Sequence, residues 1–250
     1  MGNASPGPEE PRLNTYAPLG PDWKLGQEEV HLFLFSLQAG PRAIQEFAAM
    51  LSPVEAERQR RFKFQHLRDQ FAVAHGITRQ ILGKCLGLPG GRIKMETAEN
   101  GKPFLPGHPE LQFNLSHSGN VGLLGVTLHS AIGVDIEVAR PMPDGEKIAG
   151  QFFSVSERQA LAATPAGGRK AAFFRCWTRK EAYIKATGQG LSMPLHSFDV
   201  SLDRDAGFAS EGPERDWTLR DVSPSTSFIA AVAVQSLPVS WHFWRITSAI

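Results

Sequence analysis

Trp177, Glu181 and Lys185 stand four residues apart in residues 175–191, a proline-free stretch that ends in the stop signals Gly188 and Gly190. The spacing predicts the last turns of a helix with a carboxylate and an ammonium one turn apart on one stripe and an indole below them. Taken alone, such a Glu/Lys pair is common on helix surfaces and worth roughly 0.2–0.5 kcal/mol. A second acidic stretch calls for a joint explanation. In Ile132-Gly133-Val134-Asp135-Ile136-Glu137 the strand period sets Asp135 and Glu137 on one face and Val134 and Ile136 on the other. Asp135, Glu137 and Glu181 make a hard oxygen donor set without His or Cys, which suits Mg²⁺, with Mn²⁺ as the related option, rather than zinc. Mg²⁺ held by few carboxylates completes its octahedron with water and substrate phosphates, so the expected substrate carries phosphates.

Groups able to hold phosphates occur earlier in the chain. Asn100-Gly101-Lys102-Pro103 is a turn with backbone N–H groups and a lysine, Asn114-Leu115-Ser116-His117-Ser118-Gly119 ends a strand in small donors and an imidazole, and Arg58, Arg60 and Arg61 cluster on a short helix. Each has a plainer alternative as a hairpin turn, a satisfied strand end or a solvated helix face, and spacing alone leaves both open.

The elements that must position these groups come in a repeated order. An apolar strand at residues 30–35 is followed by a helix with Ile44, Phe47, Ala48 and Leu51 on one side. Ser52-Pro53-Val54-Glu55 is a capping box that starts the arginine-bearing short helix. A longer helix at 67–86 stops at Gly87, and strand candidates follow at 92–97, 111–115 and 121–128. Beyond a join near Ser130 the punctuation returns: Ser154-x-x-Glu157 repeats the capping box and Gly190-Leu191 repeats Gly87-Leu88, each about 102 residues on. The same offset carries Asp135 back to Phe33, and strand candidates at 196–202, 217–222 and 228–234 mirror the earlier three. The sequence therefore predicts an α+β fold of two similar halves, residues 23–130 and 131–250, each a small antiparallel sheet packed with one long helix. Residues 1–22, rich in Pro, Gly and acidic residues, read as a flexible lead-in. The cleft between the halves is the expected ligand site.

A formal net charge of +1 carries no signature of a nucleic-acid or anionic-membrane partner, so any anion site must be local. The apolar runs are of strand length, far below a bilayer span, and the N-terminus lacks a secretory pattern. Cys85 and Cys176 both fall in helical patterns, which fits buried thiols in a reducing cytoplasm better than a disulfide framework.

In their order and separation, Gly101-Lys102-Pro103, Phe113-Asn114-Leu115-Ser116-His117-Ser118, Gly133-Val134-Asp135-Ile136-Glu137 and Trp177-Thr178-Arg179-Lys180-Glu181-Ala182-Tyr183-Ile184-Lys185 resemble the 4′-phosphopantetheinyl transferases. The match is to the long single-chain, surfactin-synthetase-activating type that serves nonribosomal peptide and polyketide synthetases, over roughly residues 28–235. The resemblance implies a pseudo-dimer of the two halves with the active site between them. The implied activity is transfer of the phosphopantetheine arm of coenzyme A to a serine of an apo acyl, peptidyl or polyketide carrier protein, releasing adenosine 3′,5′-bisphosphate. It further implies that Asp135, Glu137 and Glu181 hold Mg²⁺ against the coenzyme A pyrophosphate. Lys185 would contact the same phosphates, and Glu181 would take the serine proton directly or through water. Gly101, Lys102 and Pro103, with Ser116 and His117, would hold the 3′-phosphate and adenosine end, and Arg58 would add a basic contact. Glu55 and Phe71 depart from the family near Arg58, where other members carry polar or basic contacts. The first half thus supplies the nucleotide grip and the second the carboxylates and catalytic helix, with a carrier surface expected near residues 142–168, including Phe152 and Phe153. Internal duplication implies a monomer, since the second half supplies what a partner subunit otherwise would. The alternative is a non-catalytic coenzyme A or carrier-protein binding module on the same fold, against which the three intact carboxylates argue.

Overall fold

The computed structural model describes residues 15–20, 22–190, 193–204, 207–208, 216–235 and 240–247. The first half contains β1 (Ala17–Pro18), β2 (Glu29–Ser36), α1 (Pro41–Ala49), α2 (Pro53–Arg60), α3 (Gln65–Leu86), β3 (Glu96–Thr97), β4 (Pro103–Phe104), β5 (Leu111–Ser118) and β6 (Val121–Leu128). The second contains β7 (Ile132–Val138), α4 (Gly145–Phe152), α5 (Val155–Ala163), α6 (Ala166–Thr187), β8 (Trp217–Asp221), β9 (Phe228–Gln235) and β10 (Ser240–Ile246). Among the described residues no helix is long and apolar enough to cross a membrane.

The capping boxes do more than start helices. Ser52 with Glu55, and Ser154 with Glu157, exchange the expected side-chain-to-backbone bonds at the starts of α2 and α5. Each box glutamate then reaches a buried cation on the long helix: Glu55 to Arg79 at 2.6 Å, Glu157 to Lys180 at 2.8 Å. The helices α3 and α6 are 22 residues each and end in left-handed glycines, Gly87 at φ 65° and Gly188 at φ 69°. Gly188 is therefore the counterpart of Gly87, in place of the expected Gly190, and Leu191 lies outside the described residues.

The same ion pairs explain two expected strands that form differently. Residues 92–97 give a 3₁₀ turn at Gly90–Arg92 and the two-residue β3, while 196–202 give a 3₁₀ turn at Leu195–Ser197 and an isolated bridge from Val200 to Phe208. Arg79 donates to Ile93 O at 2.6 Å, Lys180 donates to Leu195 O and Phe198 O at 2.6 Å, and Glu157 accepts from Val200 N at 2.8 Å. Backbone groups that a ladder would use are satisfied by buried charged side chains instead.

The larger sheet has the order β1-β10-β2-β6-β5 and the smaller one β7-β9-β8. The β2, β6 and β5 strands are antiparallel, as are β7, β9 and β8, but β10 runs parallel to β2 and β1 parallel to β10. The first sheet is thus mixed rather than wholly antiparallel, because residues 240–246 leave the second half and return to it. Residues 15–20 are likewise ordered parts of this edge: Tyr16 is buried, donates to Val222 O at 2.8 Å and meets the Phe243 ring edge-on, and Leu19 N donates to Arg245 O at 3.1 Å. These contacts correct the reading of 1–22 as a lead-in from residue 15 onward, while residues 1–14 and 21 lie outside the described residues.

Where the sheets meet, Val30, Leu32 and Leu123 pack with Ile132, Val134 and Ile136 in one shared core. A shift of 102 residues lays Val30 and Leu32 on Ile132 and Val134, and Phe33 and Phe35 on Asp135 and Glu137. The two phenylalanines lie in the core beside α3 with Ala72, Val73 and Ile77. The free edge of β7 is closed by alternate side chains of β5: Asn114 Oδ1 accepts from Val134 N at 2.9 Å, Ser116 Oγ from Ile136 N at 3.4 Å and Ser118 Oγ from Val138 N at 3.2 Å.

Candidate active site

Gly133 lets the helix α6 lie directly on β7. A Cβ at this position would stand 2.1 Å from Ala182 O and 2.3 Å from Ala186 N, so only hydrogen allows this approach. Strand alternation then sets Gly133, Asp135 and Glu137 beneath α6, which carries Glu181 and Lys185.

Asp135 is the hub. Its Oδ1 accepts from Lys185 Nζ at 2.6 Å and from Ser116 Oγ at 2.9 Å. Its Oδ2 is buried with no hydrogen-bond partner among the described residues. Lys185 also donates to Ser116 Oγ at 3.2 Å, and Ser118 Oγ donates to Glu137 Oε2 at 2.6 Å. Burial pushes the carboxyls of Glu137 and Glu181 above their usual range, and the charge of Asp135 adds to both, against Ser118's hydrogen bond at Glu137 and Lys185's charge at Glu181. Three carboxylates thus share their fields with one ammonium. In this conformation they do not form one ligand sphere: among the described residues, ligand atoms within 4.8 Å of one another are found at Glu29, His31 and His242. The orphaned Asp135 oxygen and the all-oxygen donor set nevertheless fit a hard divalent cation.

A cleft of about 490 Å³ opens beside these groups, lined by Gly101, Lys102, Pro103, Asn114, Leu115, Phe152, Glu181 and Lys185. Gly101, at φ 85°, makes the turn that brings Lys102 across the join. Lys102 Nζ donates to Ala186 O at 2.9 Å and Ile132 O at 3.2 Å, and burial pulls its ammonium down to about 8. Asn100 Nδ2 donates to Gly188 O, so this turn grips the end of α6. Of the other residues singled out in the sequence, His117 keeps solvent access at its edge; partial desolvation of the ring, then the charges of His75, Lys185 and Arg58, hold its imidazole below the usual value. Arg58 lies over the Phe71 ring at 5.9 Å, whereas Arg60 and Arg61 pair with Glu57 on the solvent face. Ser116 is buried against Asp135 and Lys185 rather than free for a nucleotide. Glu55 is spent on Arg79 and His75 rather than turned toward a ligand near Arg58. Phe153 is a core residue at 2% exposure, while Phe152 lines the cleft. Asn114 and Ser118, expected as donors at a strand end, serve the β7 backbone and Glu137 instead, and His75, which the sequence does not single out, pairs with Glu55; the period-two polar row Asn114, Ser116, Ser118 within an apolar strand is the available signal.

Residues 131–233 match the family model described as 4′-phosphopantetheinyl transferase superfamily, and residues 38–128 match one described as 4′-phosphopantetheinyl transferase, N-terminal. The chain belongs to the 4′-phosphopantetheinyl transferase superfamily. Among similar members, the 4′-phosphopantetheinyl transferase HetI of Nostoc sp. strain PCC 7120 is 37% identical over 237 residues, 92% of this chain and 99% of HetI. The transferase Sfp of Bacillus subtilis strain 168 is 33% identical over 170 residues, 68% of this chain and 75% of Sfp. The transferase psf-1 of Bacillus pumilus is 34% identical over 179 residues, 69% of this chain and 76% of psf-1. The two matched stretches of this transferase meet between residues 128 and 131, where the first sheet gives way to the second.

Proposed function

We propose that this chain transfers the 4′-phosphopantetheine arm of coenzyme A to a serine hydroxyl of an apo acyl, peptidyl or polyketide carrier protein, releasing adenosine 3′,5′-bisphosphate, with Mg²⁺ as cofactor. The observation that carries the reading is Asp135, buried between Ser116 and Lys185 with one oxygen unpartnered among the described residues, beside two further carboxylates. Asp135, Glu137 and Glu181 would hold the ion, which when bound neutralises charge on the phosphoryl oxygens.

The protein's own groups supply the rest. Lys185, held by Asp135 and Ser116, is a fixed cation for the pyrophosphate, and its placement contributes where phosphoryl transfer depends most, in positioning and electrostatics. As the serine oxygen bonds to the β-phosphorus, the bond from that phosphorus to the bridging oxygen breaks and its electron pair leaves with the bisphosphate. The serine proton passes to Glu181, directly or through water, and burial makes this carboxylate a better base than an exposed one. Gly101, Lys102 and Pro103 on one wall and His117 with Arg58 on the other hold the nucleotide end, while Ser116 acts by holding Asp135 and Lys185. The chain works as a monomer in the cytoplasm, a setting that suits its two free thiols.

Intact mass spectrometry of an apo carrier protein incubated with the enzyme, coenzyme A and Mg²⁺, beside a sample with EDTA, tests this. One phosphopantetheine arm gained only with metal, and lost in a folded Glu181→Ala variant, is the expected result. No gain on fatty acid, polyketide or peptide carriers with coenzyme A binding retained would overturn it in favour of a binding module, and turnover by Glu181→Ala would remove that residue's role.

A further inference from the structure

Away from the cleft, β2 and β10 bring together two imidazoles and a carboxylate that the transfer chemistry does not use. Glu29 and His31 share one face of β2, and the parallel register sets His242 of β10 opposite His31. One ligand atom from each lies within 4.8 Å of the others. We propose that Glu29, His31 and His242 form a binding site for a zinc-class divalent cation that ties the last strand to the first sheet.

Three features support it. The donor set is nitrogen, nitrogen and oxygen, which suits zinc and its d-block neighbours and separates this cluster from the all-oxygen set of Asp135, Glu137 and Glu181. His242 Nε2 is buried without a hydrogen-bond partner among the described residues and stands 3.7 Å from Glu29 Oε1, too far for a hydrogen bond and well placed for a shared ion. Glu29 is already aimed by Gly26 N, which donates to its Oε2 at 2.8 Å, while the Glu29 and His242 side chains, at 28% and 35% exposure, leave a path from solvent.

The cluster also shows what an incoming cation must displace. Trp244 Nε1 donates to His31 Nδ1 at 3.0 Å, and an indole nitrogen can only donate. His31 is therefore neutral with its proton on Nε2, facing Glu29 Oε2 at 3.0 Å. A cation ligated by Nε2 requires that proton to move to Nδ1, exchanging through solvent, and the Trp244 bond to open. Trp244 thus competes with the metal, and its removal should tighten binding.

The test uses the full chain without a histidine tag, stripped of metal and held in excess Mg²⁺ so that the carboxylate cleft is served by the hard ion. Zinc is titrated in competition with a chromophoric chelator, and melting temperature is followed in parallel. The expected result is one zinc per chain with a zinc-dependent rise in melting temperature. His242→Ala and Glu29→Gln, both changing partly exposed side chains, should weaken binding at least about tenfold, the scale of losing even supporting groups at metal sites. Trp244→Phe should bind zinc more tightly. Zinc binding unchanged in both ligand variants, binding abolished by Mg²⁺, or no binding at all would each overturn the site.

Discussion

Replacing Gly133 with alanine tests whether the contact of α6 with β7 sets the catalytic geometry. The new Cβ would meet Ala182 O at 2.1 Å, and separations under 3.0 Å are essentially never tolerated, so helix and strand must part by about 0.9 Å. Both neighbours are backbone, so no side chain can swing aside. Glycine to alanine ordinarily stabilises by about 0.4–1 kcal/mol through the unfolded chain where the new side chain fits. Overpacking here should reverse that sign, to a net loss of about 1–3 kcal/mol in urea denaturation. The shift separates Asp135 and Glu137 on the strand from Glu181 and Lys185 on the helix, and a misplacement near 1 Å costs on the order of 10²-fold in rate. Carrier modification followed by intact mass gives kcat/KM. Gly150→Ala, whose Cβ would meet nothing within 4 Å, is the control and should be as stable as wild type or more so. A Gly133→Ala enzyme at wild-type stability and within about threefold of wild-type kcat/KM would refute the account.

Other outcomes follow from single contacts. Burial works against the Glu55 carboxylate, but His75, Arg79 and Ser52 N hold it down from 4.5 to about 2. A depressed folded value gives stability that is fully present above about pH 4.5 and lost as pH falls toward 2, so the stability gap between wild type and Glu55→Gln should shrink by on the order of 3 kcal/mol over that window in urea titrations. Lys180→Met leaves Glu157 buried without its ion-pair partner and should cost about 3–5 kcal/mol, with the double variant Glu157→Gln/Lys180→Met recovering part of it in a double-mutant cycle; additive losses would contradict the pairing. Asn114→Ala strips the acceptor from Val134 N and should cost about 1–3 kcal/mol of thermal or chemical stability, whereas a neutral result would mean the β7 edge is satisfied in another way.

Local chemistry was legible in the sequence wherever neighbours in the chain carry it. The capping boxes, the alternation that sets Asp135 and Glu137 on one face, and the stripe of Glu181 and Lys185 depend on spacings of two to four residues, and the structure keeps them. The duplication was legible because its landmarks are such local signals. What spacing could not convey is where side chains end after long-range packing. Lys180 reads as one more charge on a helix, yet it is buried and satisfies Leu195 and Phe198, removing an expected strand. Ser116 reads as a free donor, yet the approach of β5 to β7 commits it to Asp135 and Lys185. The pairing of β10 with β2 joins residues more than two hundred positions apart, and no periodicity in either strand names its partner.

The 102-residue register sets the two halves against each other position by position. Both copies retain the scaffold: box, buried ion pair, 22-residue helix and glycine cap. Only one carries the acids Asp135 and Glu137, where the other has Phe33 and Phe35 sunk in its core. Similar scaffolds thus present different chemistry at matching positions. On the proposed function, one half supplies the carboxylates and the other the opposite wall of the cleft. With that function, capacity for modification grows with the number of chains, never with the number of halves, and a substitution such as Phe33→Asp would bury a lone acid in the core beside α3 rather than create a second centre.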